Sequence, residues 1–300
     1  AFTPAAAMSY EPMVRHIVGS FLDRLEGRTD FDAVTEAAGL FPIEIISTLL
    51  GIPSEDRRQV KQWVEERLTI EPGGFGRSRA GLAASAAAFE YFGELVAERR
   101  RRPADDMISR LCVIGHEEAS ADQPLTDEEI VGCVRQLSSG GSETVTKLVA
   151  NALVLFDRHR DQWSKLVADP ALIPGALEEV LRFWPPVHYN GRWTLRPVTF
   201  EGGPVPADAR LVLVIGAATR DPRRFDSPDS FDITRPPHMQ LAFGFGIHVC
   251  LGAHLARLEA SVFFDELARR WPDFRVQNDG LRRVHMENVY GFSNVPLSVA

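Results

Sequence analysis

The sequence predicts a mainly α-helical protein with small, segregated β-sheets. Apolar residues recur at helical spacing through most of the first 184 residues. Short alternating runs are confined to Arg192–Ile215, with Gly202-Gly203-Pro204 between them, which is a hairpin signal. Helices therefore precede the strands rather than alternate with them, so a doubly wound α/β fold is excluded.

The elements follow in order. Helical patterns cover Pro12–Glu26 and Phe31–Leu50, separated by Gly27-Arg28-Thr29-Asp30. Gly51-Ile52-Pro53 stops the second, and Ser54 opens a third that reaches Leu68. Glu71-Pro72-Gly73-Gly74 reads as a loop. Ala80–Arg101 is helical, with Phe89, Phe92 and Val96 on its apolar side. Thr126 with Glu129 forms a capping box, and no proline follows before Pro170. One helix is expected from Asp127 to Arg158, about 48 Å long at 1.5 Å per residue. Pro174–Trp184 is a shorter helix ended by Pro185-Pro186. The chain is irregular from Gln240 to Cys250, and a last helix, Leu251–Trp271, aligns Leu251, Leu255, Leu258 and Val262.

The 300 residues are 45% hydrophobic, enough for a sizeable core. With 33 basic against 41 acidic residues, the net charge of −8 argues against a general nucleic-acid binder. Lys61, Lys147 and Lys165 are the lysines; the other basic residues are arginines. Three cysteines, Cys112, Cys133 and Cys250, fit a reducing compartment and a cytoplasmic location. No run of 18 apolar residues predicts a membrane span.

The chemistry concentrates in Phe243-Gly244-Phe245-Gly246-Ile247-His248-Val249-Cys250-Leu251-Gly252. The glycines allow tight backbone and close approach of something bulky. A cysteine at a helix start is biased towards thiolate, a ligand for metal or haem iron. A buried structural thiol in a glycine turn also fits. So does a zinc site from His248, Cys250 and His254, although that set lacks a fourth ligand. In mid-helix, Gly140-Gly141-Ser142-Glu143-Thr144 places two glycines that each cost about 1 kcal/mol against Ala. Such a run fits either a locally opened helix that admits a small ligand or an exposed flexible stretch. Glu179 and Arg182, three apart on one helix face, can pair.

The cysteine segment resembles, at every position, the haem-ligand signature of the cytochrome P450 family, Phe-Gly-x-Gly-x-His-x-Cys-x-Gly. The resemblance implies that Cys250 is the axial thiolate of haem b, that Phe243 packs near its sulfur and that His248 reaches a propionate. Gly244, Gly246 and Gly252 would frame the cofactor. Gly140 and Gly141 resemble the opening of the family's oxygen groove. There Thr144 would hydrogen-bond the bound oxygen or an adjacent water, and Glu143 would relay protons. Arg192, after Gly191, resembles a propionate-binding arginine. Glu179 and Arg182 resemble the family's structural Glu-Arg pair. The usual third partner, an Arg ahead of a Phe, is replaced by Ser230 before Phe231, leaving Arg220, Arg223 and Arg224 as candidates. Ala218-Thr219-Arg220-Asp221-Pro222 and Phe231-Asp232-Ile233-Thr234-Arg235 also resemble bacterial members.

What the resemblance implies is a P450-like fold lacking its N-terminal part. Residues 1–300 would be one haem-thiolate domain, incomplete at the N-terminus, because Ala1-Phe2-Thr3-Pro4 matches a point well inside a family chain. The implied activity is a monooxygenase that uses O2 on an apolar small organic substrate. Electrons would come from NAD(P)H through a ferredoxin and ferredoxin reductase, docking near Cys250 through arginines such as Arg257. His188, Tyr189 and Asn190, after Pro186-Val187, could supply polar substrate contacts. The alternative is a haem-binding but catalytically incompetent fragment, for which the missing N-terminal part speaks, or a haem protein that no longer turns over, against which the intact Glu143-Thr144 pair speaks.

Overall fold

Most of the helical patterns in the sequence become helices in the computed structural model, which describes residues 2–71, 73–74, 76–113 and 124–299. Pro72 of the predicted loop lies outside them. The helices are α1 (Pro4–Ser9), α2 (Glu11–Asp23), α3 (Phe41–Leu50), α4 (Arg57–Leu68), α5 (Arg79–Arg101) and α6 (Met107–Val113). They continue as α7 (Asp127–Gly140), α8 (Glu143–Arg158), α9 (Arg160–Ala168), α10 (Ile173–Phe183), α11 (Ile215–Ala218) and α12 (Ala253–Arg270). Their ends obey local chemistry. Gly51 closes α3 at φ +82°, a conformation a side chain would strain. Thr126 and Glu129 form both halves of the capping box that opens α7.

The predicted helix over Phe31–Leu50 divides. Asp30–Asp32 is strand β1, which pairs antiparallel with the C-terminal strand through Phe31↔Leu297. Val34–Ala38 winds as a single π-helical turn. Gly39 follows, where a Cβ would lie 2.7 Å from the Val34 carbonyl oxygen. Helix α3 then starts at Phe41, with Pro42 in its first turn, where a missing N–H costs nothing. The apolar spacing was shared by all three pieces, so periodicity alone could not separate them.

The expected 127–158 helix also divides, at Gly141-Ser142. Hydroxyls occupy the carbonyls around the break: Ser142 Oγ donates to Ser138 O (2.9 Å), and Thr144 Oγ1 donates to Gly140 O (2.8 Å). Thr146 Oγ1 donates across to Ala38 O (2.9 Å). Side chains thus substitute for the interrupted ladder.

The sheets are small and separate. Strand β1 (Asp30–Asp32), β9 (Pro296–Ser298) and β6 (Arg275–Val276) form one, in the order β1-β9-β6. The predicted hairpin is two nested pairs: β2 (Tyr189–Trp193) with β5 (Arg210–Val214), and β3 (Val198–Phe200) with β4 (Gly203–Val205). Strands β7 (Arg282–Arg283) and β8 (Phe292–Asn294) form the last. The main core gathers α2, α8, α10 and α12, and α8 is buried on all sides from Val145 to Phe156. A second core lies between α3, α5, α6 and α7, and Leu49 packs against both. No helix among the described residues is long and apolar enough to cross a membrane.

Candidate haem-thiolate site

The break between α7 and α8 faces the cysteine segment across a cavity of about 440 Å³. Gly140, Gly141 and Thr144 line one side; Phe243, Gly244, His248, Cys250 and Gly252 line the other. Two motifs more than 100 positions apart therefore meet at one place. Arg192 and Asn190 of β2 also reach the cavity wall.

The cysteine turn is built by its backbone. The Cys250 N–H donates to Phe243 O at 2.7 Å, and the Gly244 N–H donates to Leu241 O at 2.9 Å. Gly244 has φ +75°, and a Cβ there would lie 2.8 Å from His248 O, so geometry and space both require glycine. Gly252 differs: its φ is −86° and a Cβ would meet no protein atom. Its bareness faces the cavity. Cys250 lies three positions before the first residue of helix α12 rather than beginning it, contrary to the expected helix-start cysteine, because Gly252 is the N-cap and Ala253 the first helical residue. Crowding around the sulfur pushes the thiol pKa up, while a hydrogen bond from the Gly252 backbone and the charge of Arg257 pull it down. Arg257 is held by Glu178 (2.5 Å) and lies 4.4 Å over the Phe243 ring. Phe243 is thereby fixed beside the cysteine turn.

The glycines of the opposite wall divide in the same way. A Cβ on Gly141 would lie 2.9 Å from Leu137 O and 3.0 Å from Ile46 Cγ1. A Cβ on Gly140 would meet only Gln136 Nε2, at 3.8 Å. Thr144 lines the cavity, but Glu143 does not: it is buried beside Lys147, with Oε2 3.0 Å from Nζ. Lys147 gave no sign in the sequence beyond its i,i+4 spacing from Glu143.

Glu179 and Arg182 are fully buried and doubly hydrogen-bonded, at 2.7 and 2.8 Å. The expected third partners do not join them. Arg220 binds Phe183 O and Asp229, and Arg223 binds Asp221. Arg224 makes no ion pair among the described residues. Arg235 takes the place instead, with Nε 3.2 Å from Glu179 Oε2. It lies four residues after Phe231 rather than before it, and its guanidinium is anchored by the carbonyls of Asp226, Ser227 and Ser230. The Phe231–Arg235 segment carried that signal in the sequence.

Of the three candidate substrate contacts, only Asn190 lines the cavity. His188 stacks on Tyr290 with ring centres 4.0 Å apart, and the Tyr189 hydroxyl donates to Glu287 O. Among the described residues no three His, Cys, Asp or Glu side chains converge on a metal position, so His248, Cys250 and His254 do not form a zinc site.

The residues present fit haem. A soft thiol borders an apolar-walled cavity that Phe243 and Leu251 also line, and Phe245, Ile247 and Val249 of the same turn expose apolar side chains. Arg192 and His248 stand at the wall as donors for carboxylates, and Arg192 Nη1 donates only to the Gly191 carbonyl. Cys250 would hold the iron, and Gly252 and Gly140 would let a flat ring approach the backbone.

A sequence profile described as Cytochrome P450 matches residues 171–289. A putative cytochrome P450 123 of Mycobacterium bovis is 37% identical over 299 residues, covering 99% of this chain and 73% of the relative. A biotin biosynthesis cytochrome P450 of Bacillus subtilis is 37% identical over 283 residues, covering 92% of this chain and 69% of the relative. The crystal structure of CYP109E1 from Bacillus megaterium with testosterone superposes with a TM-score of 0.92 at 33% identity, covering all of this chain and 78% of that one.

Proposed function

Since the chain belongs to the cytochrome P450 family, oxygen-incorporating oxidoreductases that bind haem b, we propose that it inserts one atom of O2 into an apolar small organic substrate with Cys250 as the iron's thiolate ligand. The observation that carries this reading is the meeting of Cys250 and Thr144 on one apolar-walled cavity. When bound, haem supplies the electron transfer and oxygen activation that no amino-acid side chain provides.

The chain's own residues have the following roles. Burial raises the Cys250 thiol pKa, and the Gly252 N–H and Arg257 partly offset that rise in favour of the charged form. Arg192 and His248 bind the cofactor's carboxylates. Gly140 and Gly252 keep side chains away from the ring, whereas Gly141 and Gly244 are glycines because a Cβ would press on Leu137 O and His248 O; Gly246 does not line the cavity and turns the chain at φ +65°. The Thr144 hydroxyl hydrogen is committed to Gly140 O, which leaves its oxygen lone pairs as acceptors towards the cavity. Glu143, the neighbouring acid, moves protons inwards from solvent. Glu179, Arg182 and Arg235 hold the segment that leads into the cysteine turn.

Residues 1–300 are read as one haem-thiolate domain, which the packing of Leu49 against both cores supports. Electrons are read as coming from NAD(P)H through a ferredoxin and its reductase in the cytoplasm, a reading that the bacterial relatives support. The test is the optical spectrum of the haem-loaded, reduced protein under carbon monoxide. A strongly red-shifted Soret band that is lost in Cys250→Ser is expected. The same band persisting in Cys250→Ser would overturn the ligand assignment.

A further inference from the structure

Three arginines converge where the end of α4 meets α7, and the site leaves them unexplained. Arg67 lies in the last turn of α4 and is half-buried. Its Nη2 donates to Ser139 Oγ of α7, while Nε and Nη1 have no hydrogen-bond partner among the described residues. Arg135 stands one turn before Ser139 on the same face of α7, with its guanidinium 5.6 Å from the Phe89 ring centre. Arg77 directly precedes Ser78, the N-cap of α5. Gly81 lets that end of α5 close onto α4: a Cβ there would lie 2.8 Å from Glu66 O and 3.4 Å from Arg67 Cα.

None of the three forms an ion pair among the described residues. Burial, and after it the charges of Arg77 and Arg135, lower the Arg67 pKa, and the opposing pull of Glu287 is weaker than either. The dipole at the end of α4 favours one cation but does not call for two more beside it. Like charges gathered at a half-buried point repel one another, and an anion would relieve that repulsion. The mount is rigid. The Ile70 N–H donates to His285 O at 2.9 Å, and the Glu287 N–H donates to Leu68 O at 3.3 Å. It also adjoins the cavity. Ser139 is followed by Gly140, and Gln136 and Leu137 line the same wall that continues to Thr144.

We propose that Arg67, supported by Arg77 and Arg135, binds the carboxylate end of an otherwise apolar substrate and so lays the substrate's body along α7 towards Thr144. The proposal rests on the reading of the cavity as a monooxygenase's substrate site. Ser139 takes one N–H of the guanidinium and orients it. The rest of the planar fork is left for the two carboxylate oxygens. The apolar wall beyond Gln136 suits the hydrocarbon part.

Calorimetric titration of the haem-loaded protein with decanoic acid and with decan-1-ol tests this, because the two share a chain and differ in the end group. The acid should bind about 10- to 100-fold more tightly, the range of a hydrogen bond to a charged group. Arg67→Met keeps an unbranched stem and removes the charge. It should abolish the preference and leave the alcohol's affinity unchanged. Arg77→Gln, at an exposed position, should weaken the acid by about 2- to 5-fold. Equal binding of acid and alcohol, or a preference that survives Arg67→Met, would overturn the proposal. If Arg67→Met does not fold, the double variant Arg77→Gln/Arg135→Gln decides: an acid affinity unmoved by both losses overturns it. The Soret band, followed in the same titration, reports whether the bound acid reaches the haem. A preference that depends on Arg67 with no change in that band would put the anion outside the cavity and defeat the substrate assignment. The underlying reading fails separately. Without the red-shifted carbon monoxide band the haem-thiolate site itself is wrong, whereas that band together with equal acid and alcohol binding sinks the role of Arg67 alone.

Discussion

Two buried ion pairs sit on neighbouring helices and are built differently. In α10 every N–H of Arg182 is used: two go to Glu179, and the rest to the carbonyls of Thr219, Pro228 and Ser230. Glu179 accepts further from Arg235 and from the Asp232 N–H. In α8 the Lys147 ammonium faces one carboxylate oxygen without alignment. Both pairs are desolvated, so burial does not distinguish them. Saturation does. A pair that satisfies every donor and ties down three loop carbonyls is a scaffold, whereas a pair with unused capacity is free to open.

The first way to break this comparison is to remove the scaffold cation. Arg182→Met leaves Glu179 buried with Arg235 as its remaining cation and strips three carbonyls of a donor. Removing one partner of a buried pair costs about 3–5 kcal/mol, so urea denaturation should show a loss of that order, enough to consume much of a typical domain's stability. Lys147→Met should cost less, because the Glu143–Lys147 pair has no network of further hydrogen bonds to disrupt. Equal losses would erase the distinction between the saturated pair and the unsaturated one.

Glu259 of α12 sharpens the comparison by showing a carboxyl with no counter-charge among the described residues. It is wholly buried, lines the cavity and has no hydrogen-bond partner at Oε2. Burial pushes its pKa well above the usual 4.5. The folded chain therefore keeps the proton while the unfolded chain releases it above pH 4.5. The sign follows: the folded state binds more protons, so this group's contribution to stability falls as pH rises from 4.5 towards the raised value. Glu259→Gln should flatten that part of the stability–pH curve and leave stability below pH 4.5 nearly unchanged. An unchanged slope would mean that the carboxyl finds a partner in solution.

Much of this was legible in the sequence because local chemistry dictated it. The Thr126–Glu129 cap, the Pro185-Pro186 stop and the cysteine turn each depend on neighbours a few positions away. The long-range choices were not legible. Phe31 became a strand because Leu297 pairs with it, and no spacing near Phe31 encodes that. Arg235 replaced the expected arginines because its backbone anchors, Asp226, Ser227 and Ser230, curl the meander towards Glu179. Lys147 was hidden for the opposite reason. An i,i+4 Glu–Lys pair is ordinary on an exposed helix, and only the burial of α8 makes this one unusual.

The adjacent glycines at the helix break give the smallest and most discriminating test. At Gly141 an added methyl would press on Leu137 O at 2.9 Å and Ile46 at 3.0 Å. Overpacking of that kind costs about 1–3 kcal/mol, so Gly141→Ala should lower stability by that amount. At Gly140 the methyl would meet no protein atom closer than 3.8 Å, and alanine gains about 0.5–1 kcal/mol in helix propensity. Gly140→Ala should therefore hold or raise stability while intruding on the cavity beside Thr144. Denaturation together with an optical imidazole titration of the haem-loaded protein separates the two effects. Gly140 stands for the ligand if its alanine variant is stable but binds imidazole more weakly. It stands for the helix break alone if binding is untouched, and the cavity wall would then have to be drawn through Gly141 and Thr144 only.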